Sequence, residues 1–456
     1  FAMRWCLVSN ALKRNRIFLF SLHSCTIKDS CINSIRVAPF IALRKKFGTQ
    51  NYQISQSKNT RKPTNGPLNS IALNKQILEL GNEKKWRYII ALYYKYKSEM
   101  NMVNISTIYN QLSKIEFVIK QDPTFLQFLD ETINQIQLKS VKEIGSREFA
   151  AILHSIVKFR LSNASYSLKL IAKLNSKHNV RELFETKNVQ DVSNCVWACA
   201  TLGIQSPNLF RMLNSRSEWL FTNGNPQSVS SCAWACAKLG IQSPNLFRNL
   251  ESKADWLFTN GNPQSVSNCV WACAKLGIQS PNLFRMLDSR ADWLIANGNS
   301  QSVSNCVWVC GKLGIQSPNL FRMLDSRADW LIANGNSQSV SNCVWVCGKL
   351  GIQSPNLFRN LDSKADWLFA NGKCREVSSC IWACAKLGIQ SPNLFRMLDS
   401  RADWIMTNGD PQSVSNCVWA CATLGIQSPN LFRMLDSKAD WLIANGNSQS
   451  VSNCVW

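Results

Sequence analysis

The sequence predicts an all-α solenoid, a superhelix of helical repeats, and three observations support this fold class. A unit of 37 residues recurs almost unchanged, so tryptophans recur at this step from Trp197 to Trp456. A second tryptophan series, from Trp219 to Trp441, keeps the same step. Each unit contains two apolar patterns of helical period and leaves no room for a strand. Fixed periods of about 20–50 residues are typical of stacked arrays.

Each unit is predicted to form two helices joined by a turn. In one representative unit the first helix spans residues 266–276, with Ser265 as its N-cap and Gly277 as its terminating residue. Ser280 precedes a proline that suits the first turn of a second helix, which runs to about Ala296. Neither helix is long enough to be stable alone, so stacking must stabilise both.

Helical periodicity separates a buried side from a solvated side in both helices. The predicted core of the first helix consists of Val266, Cys269, Val270, Cys273, Ala274 and Leu276. The predicted core of the second consists of Leu283, Phe284, Leu287, Ala291, Leu294 and Ile295. The polar side of the first helix carries Ser267, Asn268, Trp271 and Lys275. The solvated back of the second helix carries Arg285, Asp288, Ser289 and Asp292, and a separate ridge expected to face the next unit carries Met286 and Trp293.

The chain divides into four predicted parts. Residues 1–65 form a basic segment and linker, and residues 66–189 form a helical region that caps the array. Within this region, residues 105–115 and 147–160 resemble faded first helices, with His154 at the tryptophan position. Residues 190–448 contain seven near-identical repeats, and residues 449–456 begin an eighth. We expect the array to start near residue 70 and to contain nine or ten helix pairs.

The basic segment predicts targeting to an organelle. Residues 1–65 hold twelve lysines or arginines and one acid, Asp29, which is typical of organelle-targeting segments. A disordered basic tail and a secretory signal are the alternatives. The apolar run at residues 17–22 is too short to span a bilayer. The net charge is +23, but the seven repeats contribute only about +5 of it, so overall basicity is a weak argument for nucleic-acid binding.

Cysteines and catalytic motifs argue against a cofactor and against an enzyme. The chain has nineteen cysteines, mostly in pairs such as Cys269 and Cys273, but only three histidines. The pairs lie on the predicted buried side, so we interpret them as small apolar core residues and expect no metal, disulfide or other cofactor. Motifs for phosphate loops, zinc proteases, serine hydrolases and kinases are missing from the sequence. A nuclease would need a further domain beyond residue 456.

The polar side of the first helices predicts an interface for single-stranded RNA. Bases stack on aromatic rings, amides bind base edges and lysines bind phosphates. The alternatives are that each tryptophan only fills the groove between neighbouring first helices, and that the surface is a protein-interaction scaffold. The candidate residues are Asn194, Trp197, Ser231, Trp234, Lys238, Asn268, Trp271, Lys275, Asn305, Trp308, Lys312, Asn342, Trp345, Lys349, Ser379, Trp382, Lys386, Asn416 and Trp419.

The repeat resembles a known motif. The segment WACAKLG, preceded by VSNCV and followed by Ser-Pro and Leu-Phe, resembles the core of octotricopeptide repeats. It is also similar to FAST-kinase-like repeats and to those of RNA-editing substrate-binding complex proteins. The resemblance is strong over residues 190–456 and faint over residues 100–189. The unit has 37 residues instead of 38, its second alanine is a cysteine, and a RAP domain is not visible.

This resemblance implies an organellar, non-enzymatic protein that binds single-stranded RNA in transcript processing, stability or translation. The mitochondrial matrix is the expected location, with the plastid stroma as the alternative. Other RNA-processing proteins are also expected to be partners. Binding to a membrane or to a small-molecule substrate is not expected. Since the amide position beside tryptophan is asparagine in five repeats and serine in two, we expect a nearly uniform tract of about seven bases.

Overall fold

A computed structural model describes residues 69–115, 122–161, 164–186 and 188–455. The predicted targeting segment lies outside these residues. In the described part of the chain the regular structure consists of α-helices, without a strand, which confirms the all-α solenoid. No helix within it is both long and apolar enough to cross a membrane.

Among the described residues, eight helices precede the regular array. They vary in length, and two of them, α3 and α6, coincide with the faded first helices identified in the sequence. The eight are α1 (Ser70–Asn82), α2 (Trp86–Tyr96), α3 (Met102–Leu112), α4 (Pro123–Leu138), α5 (Val141–Ile144), α6 (Ser146–Phe159), α7 (Ser165–Leu174) and α8 (Lys177–Glu185).

Each regular repeat contains three helices instead of the predicted two. The first helices are α9 (Val189–Leu202), α12 (Pro226–Leu239), α15 (Pro263–Leu276), α18 (Ser300–Leu313), α21 (Ser337–Leu350), α24 (Cys374–Leu387), α27 (Pro411–Leu424) and α30 (Ser448–Val455). The second helices are α10 (Pro207–Ser215), α13 (Pro244–Ser252), α16 (Pro281–Ser289), α19 (Pro318–Ser326), α22 (Pro355–Ser363), α25 (Pro392–Ser400) and α28 (Pro429–Ser437). The third helices are α11 (Ser217–Asn223), α14 (Ala254–Asn260), α17 (Ala291–Asn297), α20 (Ala328–Asn334), α23 (Ala365–Asn371), α26 (Ala402–Asn408) and α29 (Ala439–Asn445).

The prediction of one continuous second helix was wrong because the chain bends at Arg290. This residue has φ −113° and ψ 26°, and it separates α16 from α17. The preceding Ser289 donates its hydroxyl to the carbonyl oxygen of Met286 at 3.2 Å, and such back-bonding bends helices. The predicted core residues on either side of the bend, such as Leu287 and Leu294, are all buried. The bend therefore interrupts the backbone without changing the buried face.

The first helix also begins earlier than predicted. Its N-cap is Asn262, whose side chain accepts a hydrogen bond from the backbone N–H of Ser265 at 2.9 Å, and Pro263 occupies the first turn. Ser265 is therefore inside the helix and is buried. At the other end Gly277 has φ +69°, as a left-handed cap requires, and the N–H of Ile278 bonds to the Cys273 carbonyl oxygen at 2.9 Å.

The first helices of successive repeats pack side by side in one continuous row. The row runs from α1 through α3 and α6 to α9, and continues to α30. The described chain therefore contains ten repeats, counted from Ser70, followed by the first helix of an eleventh. Each third helix packs against the second helix of the following repeat, as α17 does against α19.

Four tryptophans of the second series contact an aromatic ring of the preceding repeat. The ring of Trp293 lies against Phe258 of the preceding repeat, with 6.1 Å between ring centroids. Trp219, Trp256 and Trp404 make the same contact with a preceding phenylalanine at 5.5–6.1 Å. The ridge was expected to face the next unit, whereas the ring contacts of these four tryptophans are with the preceding unit.

A side-chain acceptor of each second helix from α10 to α25 caps the second helix of the next repeat. The acceptor is the amide of Asn214 in α10, the carboxylate of Glu251 in α13 and an aspartate in the later repeats. Asp288 accepts hydrogen bonds from the Ser317 hydroxyl at 2.8 Å and from the backbone N–H groups of Asn319 and Leu320 at 2.9 and 3.2 Å. The prediction that Asp288 is simply solvated was wrong. Its carboxylate instead accepts hydrogen bonds from residues that lie 29–32 positions later in the chain. Burial alone would raise the pKa of the equivalent Asp399, but hydrogen bonds from Ser428, Asn430 and Leu431 lower it below its usual value. The stabilisation is therefore present above the unfolded pKa and is lost as the pH falls through the lower, folded pKa.

We expect Asp288→Ala to lower the free energy of unfolding by about 1–2 kcal/mol, because four donors at the neighbouring helix, including the Asn319 side-chain amide, lose their acceptor. Asp292→Ala is the matched control, because it removes the same charge from an exposed position in the same repeat. It should change stability by less than about 0.5 kcal/mol. Urea denaturation followed by circular dichroism measures both, and equal effects would contradict the capping role.

Candidate nucleic-acid interface

The exposed strip of each first helix presents four side chains. In α15 these are Gln264, Asn268, Trp271 and Lys275, which fall on one side of the helix at 100° per residue. Gln264 and Lys275 are exposed, whereas Asn268 and Trp271 are partly exposed. We call the strip formed by these positions in successive repeats the first-helix face. Since first helices lie side by side, the face repeats these four positions along the array, with serine at the amide position of α12 and α24 and arginine at the glutamine position of α24.

The tryptophans of this face are packed on one side and accessible on the other. A Cβ atom added at Gly348 would lie 3.3 Å from Cζ3 of Trp382, so this indole rests against the preceding first helix. His154 begins the same row, with its ring centroid 4.6 Å from that of Trp197. Burial, together with the nearby Lys158, lowers the pKa of His154 to about 4, so the imidazole is neutral at pH 7. The indoles thus fill the groove between helices while remaining partly exposed to solvent.

In α9, α15 and α27 the asparagine side chain is held by the glutamine one turn earlier. Gln264 Nε2 donates to Asn268 Oδ1 at 3.1 Å, and Gln264 Oε1 accepts from the Ser302 hydroxyl of the next repeat at 3.3 Å. Gln190 makes the same two bonds, to Asn194 at 3.0 Å and from Ser228 at 3.2 Å. Asn194 and Asn268 are therefore oriented by contacts within and between repeats.

Charge is segregated between the helices of each repeat. The helices α12, α15, α18 and α21 each carry one exposed lysine and have no carboxylate in their sequences. The acids of the same repeats lie on the second and third helices, as Asp288 and Asp292 do. Lys349 lies over the ring of Trp345, 5.1 Å from its centroid. The first-helix face is therefore cationic although a whole repeat is nearly neutral.

The structure places all the predicted site residues on this face. The amide and serine positions are partly exposed, namely Asn194, Ser231, Asn268, Asn305, Asn342, Ser379 and Asn416. The tryptophan positions are also partly exposed, namely Trp197, Trp234, Trp271, Trp308, Trp345, Trp382 and Trp419. The lysine positions are exposed, namely Lys238, Lys275, Lys312, Lys349 and Lys386. Thr201 and Thr423 occupy the lysine position at the two ends of the regular array.

Two assignments on the first helix needed correction. Ser267 is buried, and its hydroxyl donates to the carbonyl oxygen of Gln264 at 3.0 Å, so it does not belong to the exposed strip. Gln264 does belong to it and was missed by sequence reasoning. Its position four residues before Asn268 could have indicated that it belongs to the strip, because residues at this spacing share a helix face.

The paired cysteines lie in the core between the helices. Cys269 and Cys273 are buried, and burial raises the pKa of the Cys273 thiol to about 12. A thiol with a raised pKa is a poor nucleophile and a poor metal ligand. Across the described residues, no group of histidine, cysteine and carboxylate side chains could hold a metal ion.

Comparison with protein families assigns the chain to a known family. Residues 97–268 and 260–456 match the family described as RNA-editing substrate-binding complex 6 protein. Together the two matches span 360 of the 456 residues, and they include the helices of the faded repeats. A comparison with curated proteins gives no match. The resemblance to RNA-editing substrate-binding complex proteins is confirmed, whereas the octotricopeptide and FAST-kinase-like resemblances remain predictions. The chain therefore belongs to the RNA-editing substrate-binding complex 6 protein family, a family of helical-repeat proteins.

Proposed function

We propose that the chain binds single-stranded RNA along the first-helix face, as a non-enzymatic component of a mitochondrial RNA-editing machinery. Membership of a family described by an RNA-editing substrate-binding complex supports an RNA substrate and a complex with other proteins. The role then consists of holding a transcript in an extended form for other proteins.

The observation that carries this proposal is the composition of the first-helix face. Partly exposed indoles alternate along the row with amides and with lysines, and the lysines of α12, α15, α18 and α21 have no carboxylate on the same helix. This combination provides stacking surfaces for bases, hydrogen-bonding groups for base edges and positive charge for phosphates. A duplex hides its base faces and would leave the indoles unused.

A direct binding comparison tests the proposal. We expect the full chain to bind a mixed-sequence single-stranded RNA of about fourteen nucleotides at least tenfold more tightly than the same sequence as a duplex, since each stacked base contributes about 1–3 kcal/mol. Fluorescence anisotropy at fixed salt concentration measures both affinities. Heparin is the control for attraction by charge alone.

Equal affinity for single strand, duplex and heparin would indicate diffuse charge attraction and contradict the proposal. Failure to bind RNA, together with stable binding of another protein to the same face, would favour the protein-interaction scaffold.

A further inference from the structure

The amide position of the first-helix face shows two hydrogen-bonding states, a glutamine-held asparagine in α9, α15 and α27 and a backbone-bonded serine in α12 and α24. We propose that these states select bases by the exocyclic group at C4 of a pyrimidine or C6 of a purine. Repeats with a glutamine-held asparagine select uracil and guanine, which carry a carbonyl oxygen at this position. Repeats with serine select adenine and cytosine, which carry an amino group there. The inference rests on the proposed function, because it requires RNA on the first-helix face.

The asparagine state presents a donor. In α15, Asn268 Oδ1 accepts from Gln264 Nε2, which leaves the Asn268 amino group as the part of the amide directed to a ligand. Asn194 and Asn416 accept from their own glutamines at 3.0 and 3.4 Å. An amide N–H₂ group pairs with the O4 atom of uracil or the O6 atom of guanine.

The serine state presents an acceptor. The Ser231 hydroxyl donates to the backbone carbonyl oxygen of Gln227 at 2.8 Å, and the Ser379 hydroxyl donates to that of Arg375 at 2.7 Å. Because each hydroxyl has one proton, its lone pairs remain for a ligand. An acceptor pairs with the amino group on N4 of cytosine or N6 of adenine.

The order of these states predicts a sequence pattern. If one base is bound per repeat, as in other helical-repeat RNA binders, Asn194, Ser231 and Asn268 select carbonyl, amino and carbonyl bases in turn. Three repeats after Asn268, Ser379 selects an amino base, and Asn416 of the following repeat selects a carbonyl base. The two amino bases are therefore four nucleotides apart.

The glutamine is a positioning residue, which allows a test that leaves the asparagine in place. In Gln264→Glu, both side-chain oxygens can only accept, so one keeps the Ser302 hydroxyl and the other takes the Asn268 amino group. Asn268 then turns its own oxygen to the ligand. The preferred base at that nucleotide should change from uracil or guanine to adenine or cytosine, by roughly three- to tenfold.

Selection from a random RNA pool, followed by sequencing, measures the preference at each nucleotide for the full-length chain and its variants. Gln279→Glu adds the same charge at an exposed turn of the same repeat, and it should leave every preference unchanged. Gln264→Glu combined with Asn268→Ala should abolish the preference instead of reversing it. Ser231→Asn should independently convert its nucleotide from an amino base to a carbonyl base.

The outcomes separate this inference from the proposed function. A reversal confined to one nucleotide supports the inference. An unchanged preference in Gln264→Glu, or RNA bound with no enriched base, overturns the inference while leaving RNA binding intact. Failure of the unaltered chain to bind any single-stranded RNA overturns both.

Discussion

Replacing the five lysines of the first-helix face by alanine is expected to flatten the salt dependence of RNA binding and to weaken it strongly. The set is Lys238, Lys275, Lys312, Lys349 and Lys386, and all five side chains are exposed. Each phosphate contact with a single strand contributes about 0.7 to the slope of log K against log salt concentration. If every lysine contacts one phosphate, the slope should fall by about 3.5.

The matched control replaces arginines on the second helices, Arg285, Arg322 and Arg396, which are also exposed. Arg396 donates to Asn393 of its own helix at 3.3 Å, and the acids of the repeat lie on the second and third helices beside this set. We expect these changes to reduce the slope by much less than the lysine changes, per charge removed. Equal losses per charge would show that RNA is attracted by the whole surface. If neither the lysine set nor the arginine set reduces RNA binding when replaced, a protein partner would be favoured.

Replacing the two tryptophans of one repeat is expected to have different effects, one on stability and the other on RNA affinity. Trp293→Ala removes the contact with Phe258 between repeats and should lower the free energy of unfolding by about 3 kcal/mol, near the lower end for a buried aromatic ring. Its effect on RNA affinity should be small at temperatures where the variant is folded. Trp271→Ala should instead weaken RNA binding by about 1–3 kcal/mol, the contribution of one stacked base.

Trp271→Phe keeps an aromatic ring and should restore most of the affinity lost in Trp271→Ala. Thermal unfolding and anisotropy on the same samples separate stability from binding. If Trp271→Ala lowers stability as much as Trp293→Ala does and leaves affinity unchanged, the first series only packs between helices.

The repeat and its core could be predicted from the sequence because both depend on local periodicity. Leu283, Phe284 and Leu287 follow the helical period and are buried as expected. Gly277 also ends the first helix where predicted. The N-cap was misplaced, although Asn262 and Pro263 form the same polar-proline pair that correctly placed the start of the second helix at Ser280.

The remaining errors arose from contacts between repeats. A periodicity argument assumes one buried side, whereas a first helix in the row is flanked by two others, so the buried arc widens to include Ser267. Asp288 accepts hydrogen bonds from residues about 30 positions later in the chain, and a local sequence pattern does not reveal contacts at that separation. The bend at Arg290 follows a serine. Glycine and proline are the residues that interrupt helices most strongly, and neither is present there to indicate the bend in the sequence.

The most direct test of the central claim, that RNA lies on the first-helix face, is photo-crosslinking of the full chain to single-stranded RNA containing 4-thiouridine. Mass spectrometry identifies the crosslinked side chains. We predict crosslinks on first helices at the positions of Trp271 and Lys275 and their equivalents, at intervals of one repeat. Crosslinks concentrated around Arg285 and its equivalents on the second helices would contradict the account.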